Sequence, residues 1–198
     1  MKFLSSAALT ALVLSFPMPT VASTWQIDSS HSNAQFAVRH LVVSKVRGSL
    51  GTVTGKMILD EADPAKSTLE ATVEVTAVNT GNADRDEHLR APDYLDTAKF
   101  PTLSFKSTSA ESKGEGRWAV TGDLTLKGMT REVVLEVEGS STPIKDPWGK
   151  TRLGGVARTT LQRSDFAIGG QKVMEGGGLV MGNDVEVTID IELVRTDD

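Results

Sequence analysis

The chain has 198 residues, a formal net charge of −5, no cysteine, three histidines and only 5% aromatic residues. Without cysteine there is no disulfide framework, no thiolate nucleophile and no Cys-ligated zinc or iron–sulfur centre. An acidic chain is also a poor general binder of nucleic acid, because neutralising phosphate requires a surplus of Lys and Arg. The length suits one globular domain whose core, being poor in rings, must be built from Val, Leu, Ile and Thr.

The first segment reads as an address. Residues 1–22 (MKFLSSAALTALVLSFPMPTVA) open with Lys2, continue in an apolar run from Leu4 to Phe16 and end in small residues at Thr20 and Ala22. This is the layout of a secretory signal peptide, with cleavage expected after Ala22 or after Ser23. The run is shorter than the ~20 apolar residues that span a bilayer, which disfavours an uncleaved anchor. Residues 23–198 are then expected to be an exported, soluble domain.

Period-two alternation dominates the rest of the chain. Ala34, Phe36 and Val38 alternate with polar or small neighbours, and so do Leu69, Ala71, Val73 and Val75. The same holds for Trp118, Val120, Leu124 and Leu126, for Val133, Leu135 and Val137, and for Val185, Val187, Ile189, Ile191 and Leu193. Such rows mark antiparallel strands with one dry and one wet face. Further strands are predicted over Val46–Leu59, Thr102–Thr108 and Val156–Arg163. Gly48, Gly51 and Gly55 mark bends or bulges in the first of these. Lys127-Gly128 reads as a hairpin turn. Ala83–Arg90 (ADRDEHLR) lacks the alternation, follows Asn82 as a cap and precedes Pro92, so it predicts one short helix. The glycine-rich stretch Gly169–Gly182 matches neither a P-loop nor a dinucleotide fingerprint and reads as a flexible loop, or a flap over a cavity. About eight strands and one helical crossover predict an all-β domain, a single barrel or a sandwich. Small inward residues such as Ala34, Ala71, Val73 and Val120 leave an eight-stranded barrel room for a small ligand.

Few residues offer chemistry. The three histidines fall in two segments, Asp28–His40 and Asn82–Arg90. With Asp28, Asp86 and Glu87 they suit a rim of hydrogen bonds, contact with a polar ligand head, or a metal or acid–base site at the barrel mouth, although no close ligand spacing such as HExxH is present. Arg39, Arg85, Arg90, Arg131 and Arg163 stand out in an acidic chain, as structural ion pairs or as guanidinium groups for an anionic head. Arg163-Ser164-Asp165 looks more like a structural pair or turn. No GxSxG motif is present.

Several motifs together resemble the YceI-like polyisoprenoid-binding family. They are Asp28-x-x-His31-Ser32 with Phe36-x-Val38-x-His40, Thr80-Gly81-Asn82 with Arg85-Asp86-x-His88-Leu89-Arg90, and Phe100-Pro101-Thr102-Leu103-Ser104-Phe105-Lys106-Ser107. Gly122–Gly128, Asp146-Pro147-Trp148-Gly149 and Arg163-Ser164-Asp165-Phe166 complete the set. The resemblance runs from about Thr24 to Arg195. It implies a single eight-stranded, antiparallel, lipocalin-like barrel with the helix near its mouth, a periplasmic location, and no catalysis, metal or cofactor. It implies a long isoprenoid ligand, a polyprenyl phosphate or a quinone-type tail, with transient membrane contact and a homodimer as further expectations. On this reading the head group would meet His31, Arg39, His40, Arg85, His88 and Arg90. The tail would meet Phe36, Val38, Leu50, Val73, Phe100, Leu103, Phe105, Val120, Leu124 and Phe166. The sequence departs from the family's usual pattern at Leu50 and Tyr94, where relatives commonly carry Phe, at Gly155, where they carry Phe after a glycine, and at Ala167, where they carry Gly. Loss of a ring at Leu50 and Gly155 would widen the lumen if both positions face inward.

Overall fold

The computed structural model describes residues 22–140 and 142–197, so the signal segment lies outside them except for Ala22. Eleven strands follow in order: β1 (Ala22–Ile27), β2 (Asn33–His40), β3 (Ser44–Ser49), β4 (Val53–Asp60), β5 (Thr68–Glu74), β6 (Thr102–Gly114), β7 (Arg117–Leu126), β8 (Met129–Gly139), β9 (Ile144–Lys145), β10 (Thr151–Gln162) and β11 (Met181–Arg195). One α-helix, α1 (Ala83–Arg90), lies between β5 and β6. All strand pairs are antiparallel. The order β11-β1-β4-β5-β6-β7-β8-β10 returns to β11 through the β10–β11 ladder, which closes an eight-stranded barrel.

Two staves of this barrel are bent rather than straight. β11 pairs with β2 along Met181–Asp190 and with β1 at Leu193–Arg195, so β1 and β2 share one edge of it. β3 pairs with β2 and β4 with β1, so the predicted long strand over Val46–Leu59 is one chain bent between Ser49 and Val53. The bend passes Gly51, where a Cβ would stand 1.9 Å from the Glu74 carbonyl oxygen. No other residue fits there without moving that backbone.

The local signals act as their chemistry requires. Lys127 and Gly128 both have positive φ, the type I′ geometry that matches the twist of the flanking strands. Asn82 caps α1 by accepting from the Arg85 N–H at 2.9 Å. β6 is longer than the predicted Thr102–Thr108 and continues to Gly114. Its second half carries Ser, Glu and Lys with no apolar row, and register shifts at Ser107/Ser109 and Ser112/Gly114 break the period. β10 starts at Thr151, ahead of the predicted Val156, because Gly154 and Gly155 hide the alternation. It stops at Gln162, and Arg163–Phe166 forms a short 3-10 helix.

The two barrel ends differ. α1, the β2–β3 turn, the β7–β8 turn and the long β10–β11 connection gather at one end, as strand direction dictates. Near the other end Trp25 is fully buried, its indole N–H donating to the Ser23 hydroxyl at 2.9 Å, and it packs with Ile27, Val53, Val73 and Leu193. On the outer wall Arg152 binds Asp146 at 2.6 Å, Asp28 at 2.8 Å and Glu192, tying the β1–β2 bend, the turn before β10 and β11 together.

The Ser30 hydroxyl, then Arg152 and His31, hold the Asp28 carboxyl far below the usual carboxylate range. The Arg152 guanidinium does the same to Asp146. Both acids are more acidic folded than unfolded, so their contribution is present at neutral pH. It fades as pH drops below the ordinary carboxylate range near 3.8. Urea unfolding at neutral pH and near pH 3 is expected to show a marked loss of stability for the wild type. Arg152→Met should be less stable at neutral pH and should lose less on acidification.

Candidate ligand-binding cavity

Inward side chains of the barrel are mostly Val, Leu, Ile and Ala, and they do not meet at the axis. The space they leave has a volume of about 150 Å³. With its open end included, the empty volume among the lining atoms is about 1320 Å³. Its walls come from β2 (Ala34, Phe36, Val38), β4 and β5 (Val53, Leu69, Ala71, Val73), β6 and β7 (Leu103, Phe105, Leu124, Leu126), β8 (Val133, Leu135), β10 (Thr159, Leu161) and β11 (Val185–Ile191, alternate residues). Val78, Leu89, Tyr94 and Leu95 of the α1 segment cover one end, with Phe166 and Ile168. Cavities of roughly 150 Å³ lined by Leu, Ile and Phe stay dry and accept apolar guests.

Eight of the ten predicted tail contacts line this space: Phe36, Val38, Leu50, Val73, Leu103, Phe105, Leu124 and Phe166. The two others do not. The Phe100 ring lies against the β7–β8 turn, where a Cβ on Gly128 would come within 2.7 Å of it, and Lys99 Nζ stands 5.0 Å above its centre. Val120 packs against the core without lining the cavity, opposite Leu135. The alternation of β8 and β11 carries further wall residues beyond the predicted ten, Leu135 and Val187 among them. Leu89 is marked in the sequence as the sole large apolar residue of a polar helix.

None of the six predicted head-group residues lines the lumen. His31 lies on the outer wall, its Nδ1 3.0 Å from Asp28, away from the α1 end. Arg39 donates to the Val42 carbonyl at 3.2 Å on the outer face of β2. His40, half-buried, ends β2 opposite Ser44 and Met181. Arg85 donates to the hydroxyl and carbonyl of Thr80, and Arg90 to the Val78 carbonyl, so both anchor α1 to the segment before it. Asp86 completes that anchor by accepting from the Thr80 N–H and hydroxyl at 2.8 and 2.6 Å. The hydroxyl bond, more than any other contact, holds its carboxyl below the usual range. His88 is exposed, edge-on to Tyr94 at 4.5 Å and 3.6 Å from Asp93. The histidines are therefore dispersed. Among the described residues, Asp28, His31 and Glu192 bring possible metal-ligand atoms within 4.8 Å of one another, but the Arg152 guanidinium already bridges the two acids.

The YceI-like domain model matches residues 25–193, nearly the whole described chain. The chain belongs to the YceI-like family. It is 36% identical over 160 residues to a UPF0312 protein of Vibrio parahaemolyticus, covering 80% of this chain and 84% of that one. It is 39% identical over 166 residues to a UPF0312 protein of Ectopseudomonas mendocina, covering 81% and 86%. Among solved structures, the Campylobacter jejuni YceI protein superposes with a TM-score of 0.67 at 26% identity, covering 80% of this chain and 90% of that one. BcnA of Burkholderia cenocepacia (TM-score 0.69, 18% identity, 84% and 98% covered) shares the fold. So does a polyisoprenoid binding domain from Saccharophagus degradans (TM-score 0.62, 14% identity, 87% and 98% covered).

Within this YceI-like barrel the departures separate. Leu50 faces the lumen, where a Phe ring would take up more of the space. Gly155 does not line it. A Cβ at that position would come within 2.8 Å of the Glu138 carbonyl and of the Gly139 Cα, so the glycine lets β10 approach β8 closely. The expectation that Gly155 widens the cavity is corrected accordingly. Tyr94 lines the cavity beneath Gly169. Ala167 adopts φ 48° and ψ 41°, the left-handed region where a Cβ is disfavoured.

The sequence suggests an ion pair or turn role for Arg163, but its partners are four backbone carbonyls. It is 2% exposed and donates to Gly182 and Ile168 at 2.8 Å, Gly169 at 3.0 Å and Met181 at 3.1 Å. These carbonyls flank the glycine-rich connection on both sides, so one guanidinium clamps both stems of that loop at the α1 end. Arg163→Met strands four partly buried acceptors. It should destabilise the fold by more than about 3 kcal/mol in urea titration and speed amide exchange across residues 169–180. Ala167→Gly relieves the left-handed strain and is expected to stabilise by about 1 kcal/mol in the same assay.

Proposed function

We propose that the protein is an exported lipid carrier that holds an isoprenoid tail inside the barrel, for transport, storage or sequestration. The observation that carries this reading is the unfilled apolar lumen. Among the described residues its only polar side chains are Tyr94, Thr159 and Arg163, and the last is turned to backbone carbonyls. Such a space rewards hydrocarbon: each buried CH₂ contributes about 0.8 kcal/mol, enough over a prenyl chain to offset considerable ordering cost. The structural likeness to a polyisoprenoid binding domain supports the choice of isoprenoid over other lipids. Because the predicted cationic residues stand outside the lumen, affinity comes from the tail, and the head group, phosphate or quinone, stays at or beyond the α1 end.

Exchange with a membrane fits the same end. Leu41, Val42 and Val43 form the β2–β3 turn at 40%, 55% and 82% exposure, and Val173 on the glycine-rich loop is 64% exposed. A Cβ on Gly178 would stand 3.2 Å from Val42, so the two tips adjoin. An apolar tip beside a lipid cavity suits brief contact with a bilayer surface.

The test is direct. Delipidated protein titrated with solanesol, ubiquinone and a straight-chain fatty acid should take up the two prenyl compounds at one per barrel. Failure to bind either, with the fold intact by circular dichroism, contradicts the reading. Leu50→Phe fills the lumen and should lower the longest prenol chain retained in native mass spectrometry, with short prenols unaffected.

A further inference from the structure

The barrel wall is not closed along its full height. β8 pairs with β7 from Met129 to Glu138, but with β10 only through Glu136–Gly139 against Gly155–Arg158. Continuing that register would place Leu135 against Thr159 and Val133 against Leu161, yet no ladder forms there. A groove opens instead between the two strands, with Val133, Leu161 and Phe166 toward the lumen and Val134 beside them, and with a rim of Arg131, Glu132, Thr160, Gln162 and Asp165. Val133, Thr159, Leu161 and Phe166 line both this groove and the lumen, so the two spaces share a wall of side chains. The opening is framed as a window. The residual β8–β10 ladder bounds it on one side, and Lys127 Nζ, donating to the Ala167 carbonyl at 2.9 Å, bridges it on the other.

Length gives the window a use. β11 lines the lumen from Met181 to Ile191. At about 3.3 Å per residue and a tilt of about 40°, that is roughly 25 Å of barrel height. The buried cluster around Trp25 packs the core beyond it, so a long tail cannot continue along the axis. A chain longer than the lumen must fold back on itself or leave through the wall.

We infer that the β8–β10 gap is a lateral portal through which the distal end of a long isoprenoid tail leaves the lumen and lies in the groove beside Val133, Val134 and Leu161. This rests on the lipid-binding reading and adds to it a second subsite, selective for chain length. The occupant is hydrocarbon rather than a peptide strand, because the floor of the groove is continuous with the apolar lumen. Val134, 47% exposed on the outer face of β8, borders that path.

The chain has no cysteine, so a single introduced thiol can be labelled without background. Val134→Cys and, as a second probe, Thr160→Cys would carry an environment-sensitive fluorophore, with Ile58→Cys on the outer face of β4 as the control. Loading with solanesol should blue-shift the emission at positions 134 and 160 and leave position 58 unchanged. Loading with farnesol, short enough for the lumen, should shift none of them. Native mass spectrometry on the same samples reports occupancy. Solanesol bound without a shift at 134 and 160, or an equal shift from farnesol, overturns the portal and leaves lipid binding standing. Absence of bound prenol of either length overturns the lipid reading and the portal with it.

Discussion

Everything in this barrel depends on β11 having partners on both edges. One edge carries eleven consecutive residue pairs with β10, and the other is divided between β2 and β1. Closure removes most free strand edges, the stretch of β8 left unpaired beside β10 excepted, and closure over eight strands sets a girth that side chains either fill or leave open. Here the inward row is dominated by aliphatic residues, so the girth is not filled. The aromatic residues are placed at particular points: Phe36, Phe105, Phe166 and Tyr94 line the lumen, and Trp25 packs the end away from α1. The low ring content noted in the sequence is thus compatible with an empty axis rather than a weak core.

The same closure fixes which residues meet. Strand direction gathers α1, the β2–β3 turn, the glycine-rich loop and the Lys127–Gly128 turn at one end. The guanidinium groups there have backbone partners: Arg85 and Arg90 hold the segment before the helix, and Arg163 clamps both stems of the loop. A buried cation satisfied by four carbonyls gives rigidity to the cover without offering charge to the lumen. Polar organisation and apolar capacity are therefore separated in space, which suits the proposed holding of a hydrocarbon tail.

Much of the fold was legible from alternation. The row at Leu69–Val75 is a strand up to Glu74 and those at Trp118–Leu126 and Val185–Leu193 are strands throughout, and Asn82 and Lys127-Gly128 act through the local hydrogen bonds and dihedrals that their chemistry favours. What escaped the sequence depends on contacts distant along the chain. Gly155 faces β8 rather than empty space because of its opposition to Gly139. His31 belongs to the Asp28–Arg152 network, whose guanidinium comes from more than a hundred residues away, and Phe100 lies under a turn formed by β7 and β8. The incomplete β8–β10 ladder has no local signal either, since Val133, Leu135, Thr159 and Leu161 all alternate as paired strands do. Eight of the ten positions expected to meet a tail line the cavity, and the period-two pattern and the motifs point to them. The polar residues could not, because a charged side chain near a strand end fits an anchor as well as a ligand contact.

The central claim is that the unfilled lumen is occupied by an isoprenoid in the cell. The most direct measurement is organic extraction of the protein purified under native conditions from its own compartment, with mass spectrometry of the extract and of the intact complex. One prenyl lipid or prenylquinone per barrel, absent after delipidation, is the predicted result. A natively purified barrel that carries no apolar molecule, or one that carries only a non-isoprenoid ligand, would contradict it.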